Sequence, residues 1–537
     1  MGRLLLEGIA PGGSFGLVVA TEILSSRATW IATWHSVEVA VGGTLVAVVL
    51  GGSAALLVAL TDLRAKPALV FCFVLPMMIA PQVMALAWIE VFGPSSALLN
   101  ALGLAPPIGS PNPLYSREGI ILLLGIHYAP LVFLALRAGM HNLHRELVEA
   151  AQAAGARRLG VLATVIVPLM TPALVARTAL TFVSCVGNFG IPALLGIPGR
   201  YTVLTTLIYQ RLAGIGTSVL AEVAVLSVLI SVIAITGVLV QGWMLRRRRY
   251  HGVGAPVPPL PYGLGAWRPA VETVCWALII AILVIPLTAL VFTSVVPTYG
   301  VRVTAETATL ANYAFVMFDD GATQRAFRNS ILLAFGTAVL LVAVCVPLAY
   351  FLVWRNTVAL RVINFAAELP YALPGLVLAI ACILIFLKPI PVIGISIYNT
   401  VWIIFVAYLA RFLALELRPV ISGYHQIDRT LEEAGQMTGA GLAMRLRTII
   451  LPLIAPAAAA GALVVFLTAF NELTVSALLW SSGAETLGVR VFNLEQGGFS
   501  TEASAVAVLT VVATVALMTL GAFAARWLPR GVIPWRD

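Results

Sequence analysis

Charge is scarce in this chain. Only 10% of its 537 residues are Asp, Glu, Lys or Arg, whereas 60% are apolar, and the mean hydropathy is +1.00. Apolar runs of about 20 residues recur along it, which excludes the ordinary globular classes and identifies a polytopic membrane protein. Cysteine is also sparse: Cys72, Cys185, Cys275, Cys345 and Cys382 all fall inside apolar runs. They show no CxxC or Cys/His ligand spacing, so they read as small core residues and point to neither a metal nor a cofactor. No GxxxxGK[ST] phosphate loop occurs, which denies the chain that way of holding a nucleotide itself. Six histidines are scattered, and His141 and His144 read as solvated, so no nucleophile and base stand together and no catalytic residue is expected. The alternation of a membrane barrel is missing too. Lipid leaves no polar partner for a backbone outside a helix or a closed barrel, so the spans are helical.

Eleven spans are expected, near 37–60, 69–92, 118–138, 170–190, 218–244, 271–293, 329–353, 363–387, 399–417, 454–479 and 503–525. The net charge of +9 does not indicate nucleic acid, because the basic residues sit at the ends of apolar runs. They orient the chain in a bilayer instead. With "TDLRAKP" (61–67), "RRRRY" (246–250) and "RWLPRGVIPWRD" (526–537) on the cytoplasmic side, roughly 20 basic residues lie inside and about 10 outside, and the C-terminus is cytoplasmic. A proline- and glycine-rich stretch, "HGVGAPVPPLPYGLGAWRP" (251–269), reads as a cytoplasmic linker. It divides the chain into 1–250 and 270–537.

Those two parts repeat each other. A shift of 284 residues carries Glu149 onto Glu433, Ala150 onto Ala434, Gln152 onto Gln436, Gly155 onto Gly439, Thr164 onto Thr448 and Pro168 onto Pro452. The same shift lays Ser184 on Thr468 and Asn188 on Glu472, and a shift of 294 handles earlier spans, bringing Ser36 to Ser330 and Pro76 to Pro370. Five core spans would invert the second copy, and the extra span at 271–293 restores its orientation. The repeat is therefore parallel. Nothing in the first part corresponds to 271–293, so a helix is expected either upstream of Met1 or to be dispensable.

The repeated loops, about 145–168 and 429–452, are polar breaks in an apolar chain. In each a helix is expected to end at a glycine, Gly155 or Gly439, which enters the left-handed region without a steric penalty. A second helix then runs into Pro168 or Pro452 at the membrane. The small residues Ala150, Ala151, Ala434 and Gly435 predict a smooth helix face against which another protein can sit.

This pattern resembles the "EAA" loop of the membrane subunits of ATP-binding-cassette importers. Glu149-Ala150-Ala151, Gly155, Val165, Val167 and Pro168 carry the resemblance in the first copy; Glu433-Ala434-Gly435, Gly439, Ile449, Leu451 and Pro452 carry it in the second, with glycine at the third position. With the repeat it covers about 35–537. It implies an all-α bundle of two parallel, pseudo-symmetric permease halves in a bacterial inner membrane. It also implies two separate ATPase subunits gripping the loops, an extracytoplasmic solute-binding protein, and no cofactor.

The fused halves with "NFGIPALLG" and "NELTVSALLW" look most like iron(III) importer permeases, a group similar to permeases for thiamine, polyamines and aminoethylphosphonate. Glu472 is a carboxylate inside a span, costly in lipid, and is expected to face the solute route opposite Asn188, near Ser184 and Thr468. An interhelical hydrogen bond that only holds the bundle is the alternative for it. An ion-driven secondary transporter is the alternative for the whole chain, and a channel is disfavoured by the lack of charge rings or a filter signature.

Overall fold

The structure, a computed structural model, describes Leu4, Glu7 and residues 18–524 apart from 108, 142, 144, 215–217, 247–261, 356, 390–393 and 395. His144, most of the linker 251–269 and the C-terminal run from 525 lie outside those residues. Among the described residues there is no strand, only an isolated bridge between Thr61 and Tyr262. Two compact units emerge: Gly8–Ala308, and Thr309–Asp537 with Met1–Glu7.

The first unit runs α1 (Val18–Ser25), α2 (Arg27–Leu60), α3 (Lys66–Met78), α4 (Pro81–Ile89), α5 (Ala97–Leu102), α6 (Arg117–His141), α7 (Arg145–Ala153), α8 (Val167–Gly187), α9 (Gly190–Gly196), α10 (Leu204–Leu212) and α11 (Val219–Arg246), then α12 (Arg268–Ile279) and α13 (Ile285–Ser294). The second runs α14 (Gly321–Trp354), α15 (Val358–Ala372), α16 (Gly375–Phe386), α17 (Val401–Tyr424), α18 (Arg429–Met437), α19 (Leu451–Phe470), α20 (Ser476–Leu479), α21 (Leu487–Gln496) and α22 (Ser500–Ala524). Eight helices among the described residues are long and apolar enough to cross a membrane, ten if each of two bent pairs is one crossing. The expected span at 399–417 is the difference. Its helix, α17, is 24 residues long but carries Arg411, Glu416 and Arg418.

The repeat is visible in the helix boundaries themselves. Helices α2 and α14 are both 34 residues long, and the 294 shift superposes them at both ends. At 1.5 Å per residue each extends about 51 Å, well beyond a hydrocarbon core of about 30 Å. The same shift relates the bent pairs, α3 with α4 at 99° and α15 with α16 at 111°. Each bend has a local cause: Pro81 opens α4, and Pro374 caps α16 after an extended Leu373. A proline drives the residue before it toward an extended backbone, so the helix cannot continue. Even a side-chain contact repeats, since Ser36 Oγ accepts the N–H of Leu204 at 2.7 Å and Ser330 Oγ that of Leu487 at 2.9 Å, each at the start of a short helix.

The drop from 294 to 284 also has a structural origin. The connection 90–116 of the first copy is longer than 387–400 of the second and contains α5. Helix α13 packs on α4 and α5. Fully buried Glu90 accepts a hydrogen bond from Thr293 at 2.7 Å. At the other end of this extra span, Glu272 accepts the N–H of Arg64 at 2.8 Å. Arg268 bonds the carbonyl of Asp62, while the N–H of Leu264, aided by Arg268, holds the Asp62 carboxyl below its usual range. In chain order α12 and α13 precede the second copy; in space they belong with the first.

In the second unit α14, α17 and α19 pack on one another around Tyr350, Tyr424, Leu417, Ile450 and Ile454. The Tyr424 hydroxyl donates to the Val346 carbonyl at 2.9 Å, which satisfies the one polar atom such an aromatic brings into a core.

Candidate coupling loops and membrane site

The two loops match at the level of single residues. Helix α7 corresponds to α18, the turn Arg158–Val161 to Leu442–Arg445, and the π-helical turn Leu162–Ile166 to Leu446–Ile450, every boundary shifted by 284. Each π turn leads directly into Pro168 or Pro452. A proline ring clashes with the carbonyl four residues back, and widening the turn by one residue relieves that clash. Thr164 and Thr448 bond back to Gly160 and Met444, both at 2.7 Å.

Gly155 (φ +85°) and Gly439 (φ +77°) both lie in the left-handed region. The N–H of Gly155 reaches the Gln152 carbonyl at 2.9 Å and that of Ala156 the Ala151 carbonyl at 3.0 Å; Gly439 and Ala440 repeat the pair with Gln436 and Gly435 at 2.9 and 3.2 Å. These bonds use up the last carbonyls of each helix and turn the chain sharply. At the other end of α18, Asp428 caps the helix by accepting the N–H of Thr430, which holds its carboxyl below the usual range.

Glu149 pairs with Arg145 at 2.6 Å and Glu433 with Arg429 at 3.3 Å, each one helical turn apart and largely in solvent. Exposed pairs of this kind contribute about 0–1 kcal/mol. Folding stability does not account for their repetition. Glu149, Ala150, Gln152 and Glu433, Ala434, Gln436 form the outward faces. The third position does otherwise: Ala151 is half-buried and Gly435 buried, so the smooth face read from the sequence is narrower than expected.

The glycine at 435 has a steric cause. A methyl group there would fall 2.7 Å from Ile449 Cδ1. The counterpart of Ile449 is Val165, which has no Cδ carbon, and the first copy accordingly accommodates Ala151. Gly435→Ala is expected to destabilise the protein by about 1–3 kcal/mol through overpacking. Adding Ile449→Val should recover most of that. Thermal unfolding of the purified single and double variants checks it, and a double variant no better than the single would reject the account.

Behind the outward faces the copies differ. In the first, Val148 and Val161 are buried; in the second the same positions are Glu432 and Arg445. Arg445 Nε lies 3.2 Å from Glu432 Oε1, an ion pair by distance whose N–H is not aligned as a hydrogen bond. Glu432 also accepts from the Tyr350 hydroxyl at 3.0 Å and from Gln436 at 2.7 Å to each oxygen. Gln152, lacking such a carboxylate, donates to Tyr262 at 3.2 Å. The sequence reading passed over this network. Its signal was available, because the 284 shift replaces two valines by one acid and one base.

The membrane residues singled out from sequence lie at helix breaks. Asn188 caps α8 and is buried. Its Oδ1 accepts the N–H of Ile191 at 3.1 Å, and its amide donates to Tyr128 at 3.0 Å. Glu472 follows α19 and uses Oε1 for the N–H of Val475 at 2.7 Å and Oε2 for that of Ser476 at 3.1 Å. Both side chains thus serve the N–H three residues ahead. Ser184 and Thr468 bond back to Leu180 and Val464 within their own helices. Thr468 is exposed and Ser184 half-buried.

Two polar loops of one design thus stand ahead of α8 and α19, one in each copy of the repeat. The chain belongs to the family of binding-protein-dependent transport system inner membrane components, whose pattern it matches twice, over residues 43–250 and 345–534. It is 26% identical over 506 residues to a probable ABC transporter permease of Sinorhizobium fredii, covering 92% of this chain and 86% of that one. It is also 26% identical to a putative ferric transport system permease of Haemophilus influenzae, covering 78% of this chain and 65% of the relative. A ferric transport system permease of Actinobacillus pleuropneumoniae is likewise 26% identical, with 77% and 59% covered. The chain thus spans less than two thirds of either ferric relative. A bacterial ABC transporter involved in import of the acidic polysaccharide alginate aligns with a TM-score of 0.38 at 15% identity, covering 49% of this chain and 96% of that one. The protein is a multi-pass helical permease of an ABC importer in the bacterial inner membrane.

Proposed function

We propose that this chain carries both halves of the solute pathway, 1–250 and 270–537 joined by 251–269, and that α7 and α18 couple it to two ATPase subunits bound from the cytoplasm. The observation that carries this reading is the pair of exposed helices with the same Arg–Glu pair and the same glycine-ended turn, a likeness that stability does not require. Closure of the ATPase pair pulls on both loops through Glu149, Ala150, Ala151, Gly155 and Pro168 and through Glu433, Ala434, Gly435, Gly439 and Pro452. The pathway then opens outward to a solute-binding protein, and hydrolysis resets it.

Iron(III) is the solute we infer, supported by the two ferric relatives. In proteoliposomes holding the permease with its ATPases and binding protein, ATP should drive uptake of radioactive iron in preference to spermidine, thiamine or aminoethylphosphonate. Preference for one of those, or uptake driven by an ion gradient without ATP, would overturn it. The breaks at Asn188 and Glu472, with Ser184 and Thr468 one turn earlier, border the route in this reading. Glu472→Gln removes the charge and one of two backbone acceptors. Uptake should fall several-fold while ATPase stimulation survives; unchanged uptake takes Glu472 out of the route.

A further inference from the structure

Glu416 of α17 is fully buried within the second unit, and neither of its carboxyl oxygens has a hydrogen-bond partner among the described residues. It lies where α17 crosses α19. A methyl group on Gly461 of α19 would fall 2.5 Å from Glu416 Oε2, 3.0 Å from its Cδ and 2.9 Å from Pro419 Cγ, so the glycine leaves the room that the carboxyl fills. The bases of α17 are directed elsewhere: Arg418 is taken by Glu368 of α15, and Arg411 Nη1 stands beside Gly375 of α16. The helices packed on α17 supply no base either. Helices α19 and α20 carry no titratable side chain, and α16 carries only Cys382. From α14, Cys345 gives its thiol to the Leu413 carbonyl at 3.8 Å and Tyr350 its hydroxyl to Glu432, while Arg325 pairs with Glu485 and Arg328 is exposed. From α15, Arg361 is exposed and Tyr371 lies under the Arg418 guanidinium.

Glutamate is almost never fully buried unless it is paired. An ionised carboxylate without a partner is so costly to bury that the group takes up a proton instead. The first copy escapes that cost: it has fully buried Val132 at this position and Arg177 in place of Gly461. The acid of the second copy also sits at a mechanical junction. Glu416 lies eight residues before the end of α17, and Gly461 nine residues after Pro452, roughly 12–14 Å along each helix. Helix α18 stands between those two ends, so a pull on it that parts α17 from α19 lets water reach the carboxyl.

We propose that Glu416 is a proton-binding site, whose carboxyl holds a proton while α17 and α19 are packed together and loses it to water when the second coupling loop draws them apart. The O–H bond breaks, the proton passes to a water molecule, and the electron pair stays on the carboxylate. This rests on the reading of α18 as a coupling helix and adds a ligand that biases its motion. Acid favours the packed helices and alkali the parted ones, because only the packed state binds the proton tightly. ATP remains the driving force, and the proton sets the balance between the two states.

The proton is sought first in the purified permease alone, which needs neither ATPase nor uptake. The infrared C=O stretch of a protonated carboxylic acid, which a carboxylate lacks, should be present in the wild type in neutral buffer and missing from Glu416→Gln, whose side chain is neutral and nearly the same shape. Glu416→Val, which copies Val132, should lack it too and serves if Glu416→Gln does not fold. Identical spectra in wild type and variant overturn the site. In the complex reconstituted with its ATPases, a non-hydrolysable ATP analogue should release one more proton per permease from the wild type than from Glu416→Gln, read by a pH-sensitive dye. Stimulated ATPase activity of the wild type should match that of Glu416→Gln at about pH 6 and exceed it several-fold at about pH 8. A ratio that stays constant with pH, or equal proton release, overturns the switch. A wild-type infrared band together with full stimulated activity in Glu149→Lys with Glu433→Lys supports the proton site and counts against the coupling reading only.

Discussion

Gly155→Pro combined with Gly439→Pro is expected to leave the permease in the membrane and lower solute uptake at least tenfold. Proline fixes φ near −65°, whereas these positions stand at +85° and +77°. Neither turn can then form, the carbonyls of Gln152 and Gln436 lose their partners, and the exposed helix swings away from the membrane helix that follows. Since the π turns into Pro168 and Pro452 are separate elements, the transmembrane packing is spared. Binding-protein-stimulated ATPase activity of the reconstituted complex measures the coupling. Glu149→Lys with Glu433→Lys, which places like charges beside Arg145 and Arg429 while leaving the backbone intact, should uncouple it in the same direction. Full stimulated activity in both double variants would remove the loops from the coupling mechanism.

Removing only Glu432 should cost about 3–5 kcal/mol, the usual penalty for stranding the other member of a buried pair. With Glu432→Val, the Arg445 side chain, only 14% exposed, faces a methyl group, and the Tyr350 hydroxyl and Gln436 lose their acceptor. Arg445→Val strands the carboxylate in turn. Glu432→Val with Arg445→Val recreates the Val148 and Val161 combination that the first copy already buries, and apolar replacement of a buried pair is often neutral or stabilising. The double variant should therefore be more stable than either single one, a coupling that a thermodynamic cycle on the purified protein reads directly. If the two single losses simply add, the pair does not act as a unit.

Much of the architecture was legible because it depends on short-range rules. Long apolar runs dictate helices in lipid, Gly155 and Gly439 dictate where the loop helices end, and the 284 shift holds at every element of both loops. What escaped the sequence reading depends on neighbours that are remote in the chain. The segments 69–92 and 363–387 read as single spans, since hydropathy reports length and not direction; the bends of 99° and 111° follow from prolines whose effect on the path is felt only in three dimensions. The segment 399–417 read as an ordinary span because its apolar residues outnumber Arg411 and Glu416, whereas the helix runs on to Tyr424 and takes in Arg418. Glu472 read as a carboxylate facing the solute route or holding the bundle by an interhelical hydrogen bond, and the N–H groups of Val475 and Ser476 that it accepts become free only where α19 breaks.

By itself the sequence determined that the chain crosses a membrane as helices, that its design occurs twice, and that both copies present the same polar loop, since each of these follows from composition, periodicity and spacing along the chain. Only the tertiary structure decided which side of α18 faces outward, why glycine stands at 435 where alanine stands at 151, that α12 and α13 pack with the first copy, and that Arg445 pairs with Glu432 behind α18. Those outcomes turn on which atoms meet, such as a single δ-methyl of Ile449 or the Glu432 carboxylate beside Arg445. Packing brings such atoms within a few ångströms although dozens of residues can separate them in the chain.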